Sequence, residues 1–188
     1  MSGYCDAAPG HPIHGPYHDS EYGFPLTDEA QLFERMSLEI FQAGLSWLII
    51  LRKRPTMVRA FDGFVVDTVA AYRKRDIERL LKDEGIIRNR RKVEAIIENA
   101  KRIAALRASH GGLAKWIAQN HPLDRDAWVK LFRKTFVFMG GEVVGEFLMS
   151  VGYLPGAHRD TCPTWKKIAR LNPPWMGRKK RKGGSRKK

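Results

Sequence analysis

In RRKVEAIIENAKRIAALRAS, residues 90–109, the apolar positions Val93, Ile96, Ile97, Ala100, Ile103 and Ala104 recur at i, i+3, i+4 spacing. A stripe with that period covers one face of an α-helix and has to be buried against other elements. The period returns along most of the chain. In TDEAQLFERMSLEIFQAGLSWLIILRKR, Thr27 followed by Asp28 and Glu29 marks a helix start. Leu32, Phe33, Met36, Leu38 and Ile40 follow at near-helical spacing until Gly44 interrupts. A second helix is expected from Ser46 to about Arg54, with Pro55 ending it or opening the next segment. RDIERLLKDEG places Ile77, Leu80 and Leu81 on one face, with Gly85 as a glycine cap. Leu113–Asn120, Arg125–Lys134 and Glu142–Val151 also read as helices, and TFVFMGG is the one short strand candidate. The expected fold class is all-α.

A chain of 188 residues can bury a sizeable core. Its longest apolar run, WLIIL at Trp47–Leu51, is far short of the roughly 20 residues a membrane span needs. The N-terminal stretch has neither a basic start nor an apolar segment, so a cytoplasmic, nucleoid-associated protein without a membrane partner is expected. The formal charge of +14 is unevenly spread, since eight of the 34 Lys and Arg lie in the last eleven residues. The preceding 177 residues keep 26 basic against 20 acidic groups and remain basic. Residues 1–170 are read as one helical unit and 171–188 as a basic disordered tail, a generic polyanion contact.

Between two of the expected helices, residues 85–91 read GIIRNRR. The isoleucines can fill the corner of a helical hairpin, and Asn89 is a good N-cap. Free amides at the next helix start, beside Arg88, Arg90 and Arg91, suit a phosphate without reading a base. An ordinary turn with solvated arginines is the alternative.

Cys5 and Cys162 are the only cysteines, and each has a histidine within reach, His18 after the first and His158 before the second. Coincidence, a disulfide and a metal site all fit that pattern. A disulfide is disfavoured in a reducing compartment. His-x-x-x-Cys suits two ligands on adjacent turns of one segment.

Three stretches in order and spacing, YHDSEYGFP (17–25), LFERMSLEIFQAGLSWLIILRKR (32–54) and GIIRNRRKVEAIIENA (85–100), closely resemble the DNA-3-methyladenine glycosylase I family of the helix-hairpin-helix superfamily. The motif Glu-x-x-Gln-Ala-Gly-Leu-Ser-Trp, Glu39 to Trp47, is its most specific part. The likeness weakens from His110 to Thr135 and returns in EFLMSVGYLPGAHRDTC.

The resemblance implies a helix-hairpin-helix glycosylase fold with its hairpin at about 77–104. It also implies a structural zinc held by Cys5, His18, His158 and Cys162, joining the chain ends. The implied activity is a monofunctional hydrolase that flips cationic 3-methyladenine out of double-stranded alkylated DNA, cuts its N-glycosidic bond and leaves an abasic site. Glu39 is the expected catalytic and base-recognising residue, and Tyr17 and Trp47 are the aromatic walls. Leu45 is the wedge left in the base stack, and Arg88, Asn89, Arg90 and Arg91 hold the backbone. Lys92 lies inside the hairpin with no visible activating context, so no Schiff-base lysine is identified. A monomer is expected.

Two departures qualify the carry-over. Ala7 stands where close relatives have an aromatic ring, so either another ring such as Tyr22 or Trp165 supplies that contact or base affinity is reduced, and the segment before His158, in GYLPGAH, is one residue longer. The rival readings are a non-catalytic zinc-stapled nucleic-acid-binding module and a glycosylase retuned to another alkylated base.

Overall fold

A computed structural model describes residues 3–177. The sequence-expected polyanion contact at 178–188 lies outside the described residues. Among the described residues eleven α-helices follow one another: α1 Tyr4–Ala7, α2 His14–Ser20, α3 Glu29–Gln42, α4 Trp47–Ala60, α5 Val66–Ala70, α6 Lys74–Lys82, α7 Arg90–His110, α8 Leu113–Asn120, α9 Arg125–Thr135, α10 Gly141–Ser150 and α11 Pro163–Arg170. No strand occurs among the described residues, and no helix there is long and apolar enough to cross a membrane.

α3 is the axis of the core. Leu32, Phe33, Met36, Leu38, Ile40 and Phe41 are all fully buried, so apolar contact wraps most of the helix and leaves Gln31, Glu34 and Gln42 on its outer side. α4, α7, α8 and α10 pack around it. Burial of each such side chain contributes roughly 1.5–3 kcal/mol. Asp28, rather than Thr27, caps the helix by accepting from the Gln31 amide at 2.9 Å.

Two expectations at helix ends change. α4 runs through Pro55 to Ala60 instead of stopping at Arg54. The helix is held on both sides of the proline: Arg54 pairs with Glu34 and Glu21, and Met57 and Ala60 are buried beyond it. Gly85 does not cap α6, which ends at Lys82. Its role is close approach, because a Cβ there would sit 1.9 Å from the Thr56 methyl of α4.

TFVFMGG forms no strand. The Asn99 side chain brackets Val137, accepting from its amide at 2.8 Å and donating to its carbonyl at 3.0 Å, so one side chain replaces a ladder. Phe138 then takes a positive φ of 61°, which ends any extended run. The tail boundary also moves. Residues 171–177 include a short 3-10 turn at Pro174–Met176, joined back through Trp175 N–H to the Gly152 carbonyl at 3.3 Å.

A second, smaller apolar cluster gathers Tyr17, Tyr22 and Leu51 with Tyr4, Ile13, Trp47 and Ala157 around it. These residues come from both ends of the described chain, and their rings wall the cavity described next.

Gly85→Ala should lose about 1–3 kcal/mol in denaturant unfolding, the usual cost of overpacking. Thr56→Ser, which removes the methyl group in the way, should restore part of that loss in the double variant.

Candidate active site

α3 carries one carboxylate into the interior. Glu39 is 4 % exposed and borders a cavity of about 550 Å³ whose walls include Tyr4, Tyr17, Tyr22 and Trp47. Tyr17, 3 % exposed, stands 5.1 Å from the Trp47 ring at 60° and 5.6 Å from Tyr22. Arg35, one turn before Glu39, donates to the Tyr17 hydroxyl at 3.1 Å, lies 4.8 Å from its ring centre and pairs with Glu21 at 2.8 Å. This buried guanidinium fixes the Tyr17 wall. The wall is therefore set by charge-assisted contacts as well as by packing.

Burial pushes the Glu39 carboxyl up to about 8, and the nearby Glu146 carboxylate adds to the rise while Arg35 opposes it. A buried acid with no cation of its own holds its proton until a positive charge arrives. Desolvation raises the Tyr17 and Tyr22 hydroxyls as well, so both stay neutral donors.

The cavity lip is the turn between α3 and α4. Gly44 takes φ +82°, which reverses the chain there, and Ser46 caps α4. Between them Leu45 is 36 % exposed, an apolar side chain held out beside the opening. The hairpin of α6 and α7 meets this lip directly. Lys92, in the first turn of α7 and buried, donates to the Phe41 carbonyl at 2.8 Å and the Ala43 carbonyl at 2.6 Å. It satisfies carbonyls that the end of α3 leaves open. The arginine-rich corner is thus one lysine side chain away from the cavity mouth.

At that corner Ile86 is buried and Asn89 caps α7, accepting from the Lys92 amide at 3.2 Å. The Asn89 side chain therefore shapes the helix start rather than reaching outward. Arg88 and Arg90 are exposed in loose pairs with Glu84 at 3.6 Å and Glu94 at 3.3 Å, and Arg91 is exposed beside them.

Cys5, His18, His158 and Cys162 converge behind the aromatic wall, all buried, with their ligand atoms within 4.8 Å of one another. Cys5 Sγ and Cys162 Sγ each lie 3.7 Å from His158 Nδ1, and Cys162 Sγ lies 3.7 Å from His18 Nε2. A tetrahedral ion with zinc's bond lengths would set sulfur and nitrogen about 3.6 Å apart. The remaining ring nitrogens are engaged, His18 Nδ1 with Asp19 at 2.7 Å and His158 Nε2 with the Tyr22 carbonyl at 2.7 Å. Those outer bonds leave the inward nitrogens free to ligate. Both cysteines are unbridged thiols.

The structure therefore brings Glu39, Tyr17 and Trp47 together, sets Leu45 at their lip, and places Arg88, Arg90 and Arg91 beyond it. Ala7 is exposed and Trp165 is not part of the cavity wall; the rings found there instead are Tyr4, three residues before Ala7 on α1, and Tyr22. Sequence reasoning missed Tyr4, the brace Arg35 and the second carboxylate Glu146. Glu146 did leave a signal, an acid inside the apolar run VVGEFLM.

A buried acid inside an aromatic cavity, beside an arginine-rich corner, makes this the candidate site, and the chain belongs to the methyladenine glycosylase family, whose model matches residues 7–127. The Haemophilus influenzae DNA-3-methyladenine glycosylase is 35% identical over 170 residues, 80% of this chain and 91% of that one. The Escherichia coli DNA-3-methyladenine glycosylase 1 is 49% identical over 90 residues, which span 48% of each chain. Among solved structures, 3-methyladenine DNA glycosylase I from Staphylococcus aureus superposes with a TM-score of 0.74 at 29% identity, covering 86% of this chain and 96% of that one.

Glu39 binds its proton more tightly folded than unfolded, so its stabilising share is complete below about 4.5 and is lost as pH rises toward about 8. Glu39→Gln should flatten that fall. Thermal unfolding should show the variant gaining on wild type at pH 8, by an amount on the order of a few kcal/mol, with little difference at pH 4.

Proposed function

We propose that this chain excises 3-methyladenine from alkylated double-stranded DNA by hydrolysing the N-glycosidic bond, leaving an abasic site. The observation that carries the reading is Glu39, a carboxylate without a cation of its own, buried in a ring-walled cavity that opens beside an arginine-rich hairpin.

The target base is unreachable inside a duplex and must turn out of the stack. Arg88, Arg90, Arg91 and the amide end of α7 hold the backbone without reading sequence. Leu45 enters the gap the base leaves. Tyr17 and Trp47 stack on the extruded purine, and a cation against those rings gains roughly 0.5–2 kcal/mol each. Glu39 accepts from the exocyclic amine, and the positive charge drives its carboxyl toward the ionised form.

Charge is the selector. An alkylated adenine is cationic and leaves as a neutral base, so the leaving group needs no general acid. The residues hold the base, stabilise its charge and admit water at the sugar carbon. Lys92 spends its amine on two main-chain carbonyls, which supports hydrolysis without a lysine adduct and without strand cleavage.

The buried set Cys5, His18, His158 and Cys162 would hold a structural Zn2+. With all four positions taken by protein, such an ion serves to hold the chain ends together. The protein acts as a monomer.

Mass spectrometry of bases freed from methylated duplex DNA should show 3-methyladenine with backbones intact before alkali. Glu39→Gln should keep duplex affinity while lowering release by about 10²-fold or more, as for loss of a charge placed at the reacting group. No release at any enzyme concentration would favour a binding module, and a different product would mark a retuned enzyme. Purified protein should carry one zinc equivalent by elemental analysis. Cys162→Ser should lose the ion and melt well below wild type, with chelation of wild type reproducing the drop.

A further inference from the structure

Glu146 has no part in the reading above, yet it borders the same cavity as Glu39 from the opposite helix. It projects from α10 among Val143, Val144, Phe147, Leu148 and Met149, all buried, and α10 packs on α3. An acid in such a stretch is costly unless a partner holds it. The partner is neutral: the Tyr22 hydroxyl donates to Glu146 Oε2 at 3.0 Å. Tyr22 is itself fixed, edge-on to Tyr4 at 5.7 Å, beside Tyr17, and bonded through its carbonyl to His158.

Among the described residues, the cations nearby are committed elsewhere. Arg35, on the same helix as Glu39, serves Tyr17 and Glu21, and Arg125 of α9 pairs with Glu142 at 2.8 Å on the rim. The other titratable groups facing the pair are the tyrosines, Tyr4 from α1, Tyr17 from α2 and Tyr22 after it, which desolvation keeps neutral. Two carboxylates thus face one cavity with no salt bridge to either among the described residues. An apolar chamber of that kind is unfavourable empty and is relieved by a ligand that brings positive charge and hydrogen-bond donors.

We propose that Glu146, oriented by Tyr22, is a second specificity-determining carboxylate that holds the extruded base from the side opposite Glu39 and selects cationic alkylated purines over neutral ones. This deepens the glycosylase reading and rests on it for the identity of the base. Tyr22 acts as a positioning residue. Its hydroxyl occupies one oxygen of Glu146 and leaves the other for a donor on the ligand. The like charge of Glu146 also helps keep Glu39 protonated until a cation enters.

The test uses a permanent cation, 3,9-dimethyladeninium, and a neutral purine of similar shape, 9-methyladenine, as calorimetric probes, beside base release from methylated DNA. Glu146→Gln should weaken cation binding by about tenfold, the scale of one charge-assisted hydrogen bond, and change neutral binding less than about twofold. The pH at which cation binding is half-maximal should move down, because removing a like charge lets Glu39 ionise earlier. Tyr22→Phe should act in the same direction with a smaller effect. Equal cation binding and an unmoved pH profile in Glu146→Gln would overturn the inference. An equal loss for both probes would overturn it too, marking a structural side chain. Wild type that binds the cation selectively through Glu146 but frees no 3-methyladenine would uphold the inference and refute the glycosylase reading alone.

Discussion

The arrangement depends on a helix that is buried over most of its surface and still carries two ionisable side chains into the interior. Arg35 and Glu39 stand one turn apart on α3. An ion pair between them would neutralise both and close the matter. Instead Arg35 is drawn away by Tyr17 and Glu21, and Glu39 is left to the cavity. The cost of the stranded carboxylate is met by the core around it, where six large apolar side chains of the same helix are fully buried. The fold can carry this local instability because α4, α7, α8 and α10 all pack on α3.

The cavity lies where the two ends of the described chain meet. Tyr4 and Tyr17 come from the first two helices, Tyr22 from the turn after them, Ala157 from the segment before α11, and the Cys/His cluster sits behind them. His158 touches both systems, directing one nitrogen toward the cysteines and the other to the Tyr22 carbonyl. Tyr22 in turn holds Glu146. A cluster that first looks remote from the cavity is therefore one contact from its wall.

Most helices were legible because their apolar residues recur at helical spacing, α7 most plainly. Errors fell where one side chain overrides local preference. Pro55 lies inside α4 because ion pairs at Arg54 and buried Met57 hold the helix around it. Gly85 reads as a cap in sequence, but its reason is the space needed by Thr56 of α4, far from it along the chain. The Glu39–Trp47 motif exposed half of the site through local spacing and resemblance. Tyr4 and Glu146 stayed hidden because their meaning comes from partners across the chain, and period analysis sees only neighbours.

Lys92 ends on two carbonyls of the cavity lip while its own helix begins at the arginine corner. No flexible linker separates the surface that would hold phosphate from the chamber that would receive the base. The spacing between them is a fixed dimension of the folded protein. A duplex engaging both must then do the yielding, and bending a site of that kind costs on the order of 1–6 kcal/mol. A pair that is already weakened yields more cheaply, so a rigid protein of this kind would favour soft sites over intact ones.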